Sequence, residues 1–326
     1  MPPKSVLAML PHDASPEKIV AVAVAIVALV VAIVHVAVYN FVSSVAAAVL
    51  AFVTGLAAVR WVYWNGVGVW GSQLAWVRDT STLMGQLSSE PQQKGTLRVV
   101  CISDTHGKHQ NVQVPNGDVL IHCGDFTNKG THKEIKEFNE WLGSLPHRHK
   151  IVIAGNHDLS MDAAEYGDHW ETLWRHAEFN DPAISHTLLT NCTYLENRSI
   201  VIDGVKIFGS PMTPPIPGRV MAFNVSRGYA AQQQWAKIPT DVDILVTHGP
   251  PHGVLDRTVA GLHVGDESLL KEILSRCRPS FHLFGHIHEA YGIAQLGSTV
   301  FINAATSTLL GKPTHRPIVF DIPSKD

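Results

Sequence analysis

The sequence predicts an α/β fold for most of the chain, preceded by an apolar N-terminal region. After residue 96, short runs rich in β-branched residues recur, and two stretches between them carry apolar residues at helical spacing. Strands that alternate with helices are typical of an α/β domain. Residues 19–64 are instead almost uniformly apolar, which indicates a second kind of structure. The predicted strands are 97–103, 119–123, 150–154, 205–209, 242–247, 281–284, 299–303 and 317–320, and the predicted helices are 131–142 and 266–276.

Bulk composition narrows the classes of function. A formal net charge of −3 over 326 residues leaves no basic surplus of the kind that binds a nucleic-acid polymer. The 4 cysteines lie far apart and form no C-x-x-C pair, which argues against a structural zinc site or a disulfide scaffold and fits a reducing compartment. The 19 histidines are the unusual count, and because imidazole is a common metal ligand, their positions matter.

The apolar region predicts a membrane anchor over residues 19–64. Residues 19–38 contain no formally charged side chain and are long enough to cross a bilayer as a helix. A second apolar run, 41–59, follows a short break, so the anchor is either a single transmembrane segment or a tight helical hairpin that turns near residues 39–44. The tryptophans concentrated in 61–76 are typical of a membrane interface. A cleaved signal peptide and a buried apolar hairpin are the alternatives.

The chain is therefore predicted to contain four segments. Residues 1–18 form a polar tail, 19–64 the membrane anchor, 65–96 an interfacial segment and linker, and 97–326 the α/β domain. Lysine and arginine flank the anchor on both sides, whereas the break between its two apolar runs contains neither. By the positive-inside rule, a hairpin would place both of its ends, and hence the α/β domain, on the cytosolic side. A single span leaves the orientation open.

Polar side chains follow five of the predicted strands. Ligands of α/β sheets bind beyond the carboxyl ends of the strands, so these side chains are expected to meet at one edge. Residues i and i+2 of an extended chain point to the same side, which would let Asp104 act together with His106, and His286 with His288. The strand-end residues are Asp104, His106, Asp125, Asn156, His157, Asp158, His248, His286 and His288.

The chemistry of these side chains predicts a metal centre. Each motif taken singly reads as a turn or a hydrogen-bonded residue, but five of them at one edge favour a shared site. Carboxylate, amide and imidazole groups suit Mn, Fe, Zn or Mg, and the lack of thiolate argues against a structural zinc site. Glycines 124, 155 and 285 would let the backbone approach closely. Isolated histidines such as His122 read as surface or core residues, and Cys123 as a small buried strand residue.

The strand-end motifs resemble the five signature blocks of the calcineurin-like metallophosphoesterases, in the same order. The resemblance covers residues 97–323, and the stretches 138–158, 243–256 and 283–292 are similar to metallophosphoesterase-domain-containing proteins, some of which are phosphodiesterases active on cyclic nucleotides. It implies a four-layer sandwich of two β-sheets flanked by helices, with two metals at its edge. The five blocks are Asp104-x-His106, Gly124-Asp125, Gly155-Asn156-His157-Asp158, His248 and Gly285-His286-x-His288.

The resemblance also implies a role for each motif residue. Asp125 would bridge two divalent ions, with Mn²⁺ favoured, and a hydroxide held between them would attack a phosphodiester or phosphomonoester such as a nucleotide or cyclic nucleotide. His157 would be the general acid or a phosphate contact, oriented by Asp158. The first ion would be held by Asp104, His106 and His288, and the second by Asn156, His248 and His286.

Two other functions stay open at this point. A non-catalytic membrane-anchored scaffold could retain the fold, although every ligand type is present and a scaffold would be expected to have lost at least one. A protein Ser/Thr phosphatase is less favoured, because that group has an Asp-Arg pair where this chain has Asn128 and Lys129, and lysine cannot reproduce the planar two-point contact of arginine with phosphate. The expected partners are a small phosphoester and, through residues 19–64, membrane lipid; the sequence leaves the oligomeric state undetermined.

Overall fold

The computed structural model describes residues 29–31, 34, 78–79, 92, 94–171 and 178–325. The chain divides into two compact units, residues 1–71 and residues 72–326. The second unit contains nearly all of the described residues, including every strand and helix that is assigned below.

The predicted membrane anchor falls in the first unit. Its described residues, 29–31 and 34, are helical and exposed. The rest of the predicted anchor, the predicted tail 1–18 and most of the predicted linker 65–96 lie outside the described residues. Within the part of the chain that is described, no helix is both long and apolar enough to span a membrane.

The described strands of the second unit form two mixed sheets. The strands are β1 (Arg78–Asp79), β2 (Thr96–Ile102), β3 (Val119–Cys123), β4 (His149–Ile153), β5 (Thr193–Tyr194), β6 (Arg198–Ile202), β7 (Val205–Ser210), β8 (Ile244–Thr247), β9 (Phe281–Phe284), β10 (Gly292–Leu296), β11 (Thr299–Asn303) and β12 (Ile318–Pro323). One sheet has the order β12-β2-β3-β4-β5, and the other β1-β10-β11-β9-β8-β7-β6. The strands β2 to β5 are parallel, as are β11, β9, β8 and β7, whereas β12, β6, β10 and β1 pair antiparallel.

Helices lie between the strands and begin at local capping signals. The described α-helices are α1 (His132–Ser144), α2 (Ala163–His169), α3 (Pro182–Thr187), α4 (Tyr229–Trp235) and α5 (Glu267–Glu272). Helix α1 starts with a capping box, in which Thr131 and Glu134 satisfy each other's backbone N–H groups. Aspartate side chains cap α2, α3 and α5. Helix α5 continues into a π-helical turn, Ile273–Cys277.

The buried side chains show four layers. Successive residues of a strand point to opposite faces, so β2 places Val99 toward the second sheet and Val100 toward helix α1. One apolar cluster fills the space between the two sheets, a second lies between the five-stranded sheet and α1, and a third between the other sheet and helices α4 and α5. The predicted α/β class and the two sheets flanked by helices are therefore confirmed.

The structure also contains elements that the sequence did not predict. All the predicted strands are present with small shifts at their ends, but β1, β5, β6 and β10 and helices α2, α3 and α4 are additional. Strand β1 lies within the predicted linker 65–96 and pairs antiparallel with β10 at the sheet edge.

Candidate metal centre

Four of the predicted site residues leave their strands in an unusual backbone conformation. Asp104, His106, Asp125 and His286 have φ values of 54°, 44°, 55° and 68°. Non-glycine residues are uncommon in this left-handed region, although Asp and His tolerate it better than most, and such residues cluster at functional sites. Backbone bonds also join the loops after β2 and β3, because Asp104 N donates to the Gly124 carbonyl and His106 N to the Asp125 carbonyl, both at 3.0 Å.

The predicted ligands come together in three overlapping groups. Within each group, one potential ligand atom per residue lies within 4.8 Å of the others. His106 and Asp125 each belong to two groups, so the three form one continuous centre. Asn156 joins it through its Oδ1 atom, which lies 2.9 Å from His248 Nε2. The groups are Asp104–His106–His288, His106–Asp125–His157 and Asp125–His248–His286.

The unsatisfied atoms of this centre fit a cation. Asp104 Oδ1 and His106 Nδ1 are buried without a hydrogen-bond partner, and burying an unpaired polar atom is costly. Asp125 Oδ2 lies 3.4 Å from His248 Nε2 and 3.8 Å from His106 Nε2, so a single carboxylate reaches both halves of the centre. Carboxylate, imidazole and amide donors without a thiolate suit Mn, Fe, Zn or Mg.

Backbone carbonyls hold the second ring nitrogen of three histidines. His248 Nδ1 lies 2.9 Å from the Cys123 carbonyl, and His288 Nδ1 lies 3.1 Å from the Thr308 carbonyl. His157 Nδ1 lies 3.0 Å from the Asn128 carbonyl. A carbonyl accepts only from a protonated nitrogen, so each bond places a proton on Nδ1 and directs Nε2 toward the centre, where a metal ion would replace any proton on that atom.

The charges of the centre shift the pKa values of its members in opposite directions. Burial acts to raise the pKa of Asp104, but the charge interaction with His288, whose Nε2 lies 3.3 Å from Asp104 Oδ1, and the nearby His248 hold this pKa well below its usual range. Histidine neighbours likewise outweigh burial and lower the pKa of Asp125. Burial acts to lower the pKa values of His248 and His288, but their carboxylate partners raise both to about 9. Burial and the charge of His248 lower the pKa of His286 to about 3.

The comparison with known families decides which class of protein this centre belongs to. The model for calcineurin-like phosphoesterases matches residues 97–290, a range that includes all the predicted site residues. The chain belongs to the calcineurin-like phosphoesterase family. Together with the aspartate and histidine groups, this membership supports a metal-dependent phosphoesterase.

The chain is also similar to individual proteins of known sequence or structure. The chain is 44% identical over 245 residues to metallophosphoesterase domain-containing protein 1 of Homo sapiens. This match covers 72% of the chain and 73% of the human protein. It is 42% identical over 249 residues to UPF0046 protein K07C11.7 of Caenorhabditis elegans, covering 74% of this chain and 81% of the relative. The crystal structure of TT1561 of Thermus thermophilus matches with a TM-score of 0.41 and 14% identity, over 64% of this chain and 89% of that one.

Two glycines of the phosphoesterase motifs are required by close packing against ligand side chains. A Cβ atom on Gly285 would lie 2.0 Å from Asp104 Oδ2, and a Cβ atom on Gly155 would lie 2.3 Å from Asp125 Oδ1. Neither distance is compatible with a real side chain. The predicted close backbone approach is thus directed at the two carboxylates by Gly155 and Gly285, whereas Gly124, with a φ of 98°, approaches His248, whose Nδ1 would lie 2.6 Å from an added Cβ atom.

Asp158 does not orient His157 as predicted. Its carboxylate accepts hydrogen bonds from Asp125 N at 2.9 Å, Gly155 N at 2.8 Å, and Thr127 N and Oγ1 at 2.8 and 2.6 Å, whereas His157 is held by the Asn128 carbonyl. Burial and the neighbouring Asp125 raise the pKa of Asp158 to about 8, against the pull of these donors. Asp158 therefore joins the loops after β3 and β4 and acts on the site through their backbone.

The prediction from sequence missed the groups that support the ligands. The carbonyls of Cys123, Asn128 and Thr308 leave no side-chain pattern in a sequence, so no local signal could reveal them. Glu134 could have been found, because the spacing Thr131-x-x-Glu134 before an apolar helical pattern is the signature of a capping box. Its carboxylate also accepts from Asn128 N at 3.1 Å, which ties the helix to the loop that holds His157.

Proposed function

We propose that this phosphoesterase hydrolyses a small phosphodiester or phosphomonoester, such as a nucleotide or cyclic nucleotide. The reaction would depend on two bound divalent metal ions, and Mn²⁺ is the favoured metal. The supporting observation is the Asp125 carboxylate, which belongs to ligand groups in both halves of the centre. The first position would be formed by Asp104, His106 and His288, and the second by Asn156, His248 and His286, with Asp125 shared.

The ligands of this chain would leave a positive centre for a phosphate. Two divalent ions at such a site acidify a water molecule and stabilise the charge of an in-line displacement at phosphorus. Asp104 and Asp125 offset about half of the charge of two such ions, which leaves roughly +2 for the substrate. The histidine and asparagine ligands are neutral in their metal-binding forms and offset none of it.

His157 is assigned the proton transfer to the leaving oxygen. Its Nδ1 proton is held by the Asn128 carbonyl, so the proton to be transferred would be the second one, which the imidazolium form carries on Nε2. Its backbone N donates to Asp125 Oδ1 at 2.7 Å, and its ring packs edge-on against His106 with centroids 4.8 Å apart. A general acid positioned in this way contributes roughly 10²–10⁴-fold to the rate.

The loop after β3 favours a small phosphoester over a phosphoprotein. Asn128 and Lys129 are exposed, and the backbone N of each donates to the Glu134 carboxylate. The loop therefore has no guanidinium at these positions for a two-point contact with a protein-bound phosphate. A nucleic-acid polymer is disfavoured by the net charge of −3.

The test is hydrolysis of bis-p-nitrophenyl phosphate by the EDTA-treated full-length chain, with and without added Mn²⁺. We expect Mn²⁺-dependent turnover that the Asp125→Ala variant lacks. If the parent chain shows no metal-dependent turnover above Asp125→Ala, the chain is a non-catalytic scaffold that retains the fold. A panel of nucleotides, cyclic nucleotides and phospholipid head groups then identifies the substrate.

We further propose that residues 19–64 attach this phosphoesterase to a membrane, with the catalytic domain on the cytosolic side. The support comes from the sequence, in which two long apolar runs are flanked on their outer sides by lysine and arginine.

A further inference from the structure

Two buried histidines outside the ligand groups share one arrangement. His122 lies on β3 and His282 on β9, and both have no solvent exposure. The Nε2 atom of each ring lies beside a threonine hydroxyl, with Thr105 Oγ1 at 3.0 Å from His122 and Thr247 Oγ1 at 2.8 Å from His282. Neither histidine belongs to a metal-ligand group among the described residues.

Hydrogen bonding fixes the tautomer of His122. Gly124 N donates to His122 Nδ1 at 3.3 Å, so Nδ1 accepts and the proton of the neutral ring is on Nε2. Burial lowers the pKa of His122 to about 3, and the ring packs edge-on against Phe138 with centroids 5.2 Å apart. His122 is therefore neutral near pH 7 and donates its Nε2 proton to Thr105 Oγ1.

The tautomer of His282 follows from its threonine partner. Thr247 has one hydroxyl proton, which it donates to the Gly249 carbonyl at 2.7 Å, so its oxygen accepts from His282 Nε2. Burial lowers the pKa of His282 to about 3, and its Nδ1 atom is buried without a partner beside Phe284. An orphaned acceptor destabilises a core. Because Nδ1 has no partner, the hydrogen bond from Nε2 to Thr247 is the polar interaction that a histidine offers at this position and an apolar ring would not.

The two threonines are next to proposed ligands in the chain, Thr105 in the loop after β2 and Thr247 as the last residue of β8. Thr105 stands between Asp104 and His106, and Thr247 immediately precedes His248. Both threonines are fully buried. One imidazole on each sheet therefore holds one ligand loop, and it does so from the sheet face that packs against helices or aromatic side chains rather than from the metal side.

We propose that His122 and His282 are positioning residues, each of which sets the metal affinity of one half of the centre through a threonine hydroxyl. His122 acts through Thr105 on the first position, and His282 acts through Thr247 on the second. This inference rests on the proposed two-metal function, since it assigns a separate support to each position.

The backbone of the ligand loops explains why such support matters. Asp104 and His106 flank Thr105 with positive φ values, and residues in that region keep their conformation only when the surrounding structure holds them. A hydrogen bond excluded from water is stronger than an exposed one. Removing groups that orient metal ligands typically costs about 10–100-fold in metal affinity.

Substitution by phenylalanine separates the hydrogen bond from the packing. His122→Phe and His282→Phe keep an aromatic ring but remove the Nε2 donor. We expect His122→Phe to weaken metal binding at the first position by about 10–100-fold and to leave the second nearly unchanged, with His282→Phe doing the reverse. His122→Gln places an amide N–H near the Nε2 site and should restore most of the affinity.

The readout is ¹¹³Cd²⁺ binding to the EDTA-treated full-length chain, followed by NMR and by competition with a chelator. Two resonances are expected from the parent, assigned by the loss of one in His288→Gln and of the other in His286→Gln. This measurement reports on each position separately and does not depend on turnover.

A double-mutant cycle tests the route through the threonine. Thr105→Val keeps the shape of the side chain and removes the hydroxyl, so it should weaken the first position as His122→Phe does. Because both changes delete the same hydrogen bond, the double variant should lose little more than either single variant. Fully additive losses would contradict the proposed route. If His122→Phe does not fold, Thr105→Val alone decides the outcome.

His109→Phe is the matched control. His109 is also buried and packs against Phe138, with centroids 5.6 Å apart, but its Nδ1 has no hydrogen-bond partner. We expect the His109→Phe variant to bind ¹¹³Cd²⁺ at both positions with the same affinities as the parent chain. If His122→Phe and His282→Phe lower the melting temperature yet leave both affinities at parent values, the two histidines are core residues and this inference fails alone. If the parent chain binds no ¹¹³Cd²⁺, the two-metal function fails as well.

Discussion

The Asp125 carboxylate lies between the two halves of the centre. Its Oδ2 atom lies near histidines of both halves, and its Oδ1 accepts from His157 N. Asp125→Asn keeps the volume and removes the charge, so we expect it to lower both turnover and total metal content. The loss of turnover should exceed about 100-fold. It should also be larger than the loss in His286→Asn or His288→Asn, because each of those variants alters only one half of the centre. Equal losses in all three variants would contradict a shared carboxylate.

The contact between Gly285 and Asp104 gives a second prediction for a single residue. A Cβ atom on Gly285 would meet Asp104 Oδ2 at 2.0 Å and Ser103 Oγ at 2.1 Å, and both partners are buried. We expect Gly285→Ala to displace the Asp104 loop, to lower stability by about 1–3 kcal/mol and to weaken metal binding. Thermal unfolding with and without Mn²⁺ measures both effects.

Gly167→Ala is the control for that substitution. Gly167 is exposed in helix α2, and a Cβ atom there meets nothing within 4 Å. Alanine is the better helix former, so the variant should gain up to about 1 kcal/mol and bind metal as the parent does. Parent-like stability and metal binding in Gly285→Ala would show that the loop relaxes without cost.

Helix α1 links an element boundary to His157, the proposed general acid. The Glu134 carboxylate caps the helix through Thr131 and also accepts from Asn128 N and Lys129 N at 3.1 and 3.3 Å. The carbonyl of Asn128 in turn holds His157. We expect Glu134→Ala to cost about 1 kcal/mol of stability and to lower kcat, while metal content stays at the parent level. Denaturant unfolding and steady-state kinetics measure the two effects.

Glu137→Ala provides the comparison on the same helix. Glu137 forms an exposed ion pair with Lys133 at 3.8 Å, and such pairs contribute less than about 1 kcal/mol. This variant should retain parent kinetics. If Glu134→Ala loses stability but keeps the parent kcat, the capping box is structural only and the loop finds His157 without it.

The elements that the sequence predicted are those whose burial leaves a strong pattern. Strands β3 and β8 are buried along their whole length, and a central parallel strand reads as a continuous apolar run. Strand β6 is an edge strand with mostly exposed residues, and β5 has only two residues, so neither leaves a usable run. Helices α2 and α3 have seven and six residues, too few to show helical periodicity, whereas the helical pattern of α5 continues into the π-helical turn Ile273–Cys277.

The same contrast holds within the centre. The convergence of the proposed ligand side chains could be predicted because parallel strands bring their carboxyl ends to one edge, whatever the details of the loops. The hydrogen-bond partners of Asp158 could not be predicted from the sequence. An aspartate that follows His157 in the chain can accept from any N–H group that the fold brings near it. His122 and His282 were equally hidden, because a strand histidine shows its partner only once the neighbouring loop is in place.

Membrane attachment through the apolar residues 19–64 is the prediction that concerns the whole molecule. We expect the full-length chain to remain in the membrane pellet after an alkaline carbonate wash, since residues 19–38 are long enough to span a bilayer. Replacing Val30 and Val31 by lysine would add about 2.5–3.5 kcal/mol of insertion cost per residue and should release the chain if this run is the anchor. Release of the parent chain by the same wash would exclude an integral anchor.

The stability of the whole catalytic unit should depend on metal and pH together. His248 and His288 have pKa values raised to about 9 by their carboxylate partners, above the usual 6.5. Without metal, the stability that these protonated pairs contribute is fully present below about pH 6.5 and is lost as the pH rises through about 9. Metal ions bind the unprotonated rings, so each ion must displace a proton. The stabilisation by metal should therefore grow as the pH rises.

Thermal unfolding at pH 6, 7 and 8, in EDTA and in saturating Mn²⁺, measures this linkage. A ligand at about 100 times its Kd adds roughly 2.7 kcal/mol, and each displaced proton changes the binding free energy by about 1.4 kcal/mol per pH unit. The gain in Tm on adding Mn²⁺ should thus increase from pH 6 to pH 8, and titration calorimetry in buffers of different ionisation enthalpy should detect proton release. The His288→Gln variant, which lacks one of the two titrating rings, should show a smaller pH dependence. A metal-induced gain in Tm that is the same at all three pH values would mean that the ions do not bind where His248 and His288 hold their protons.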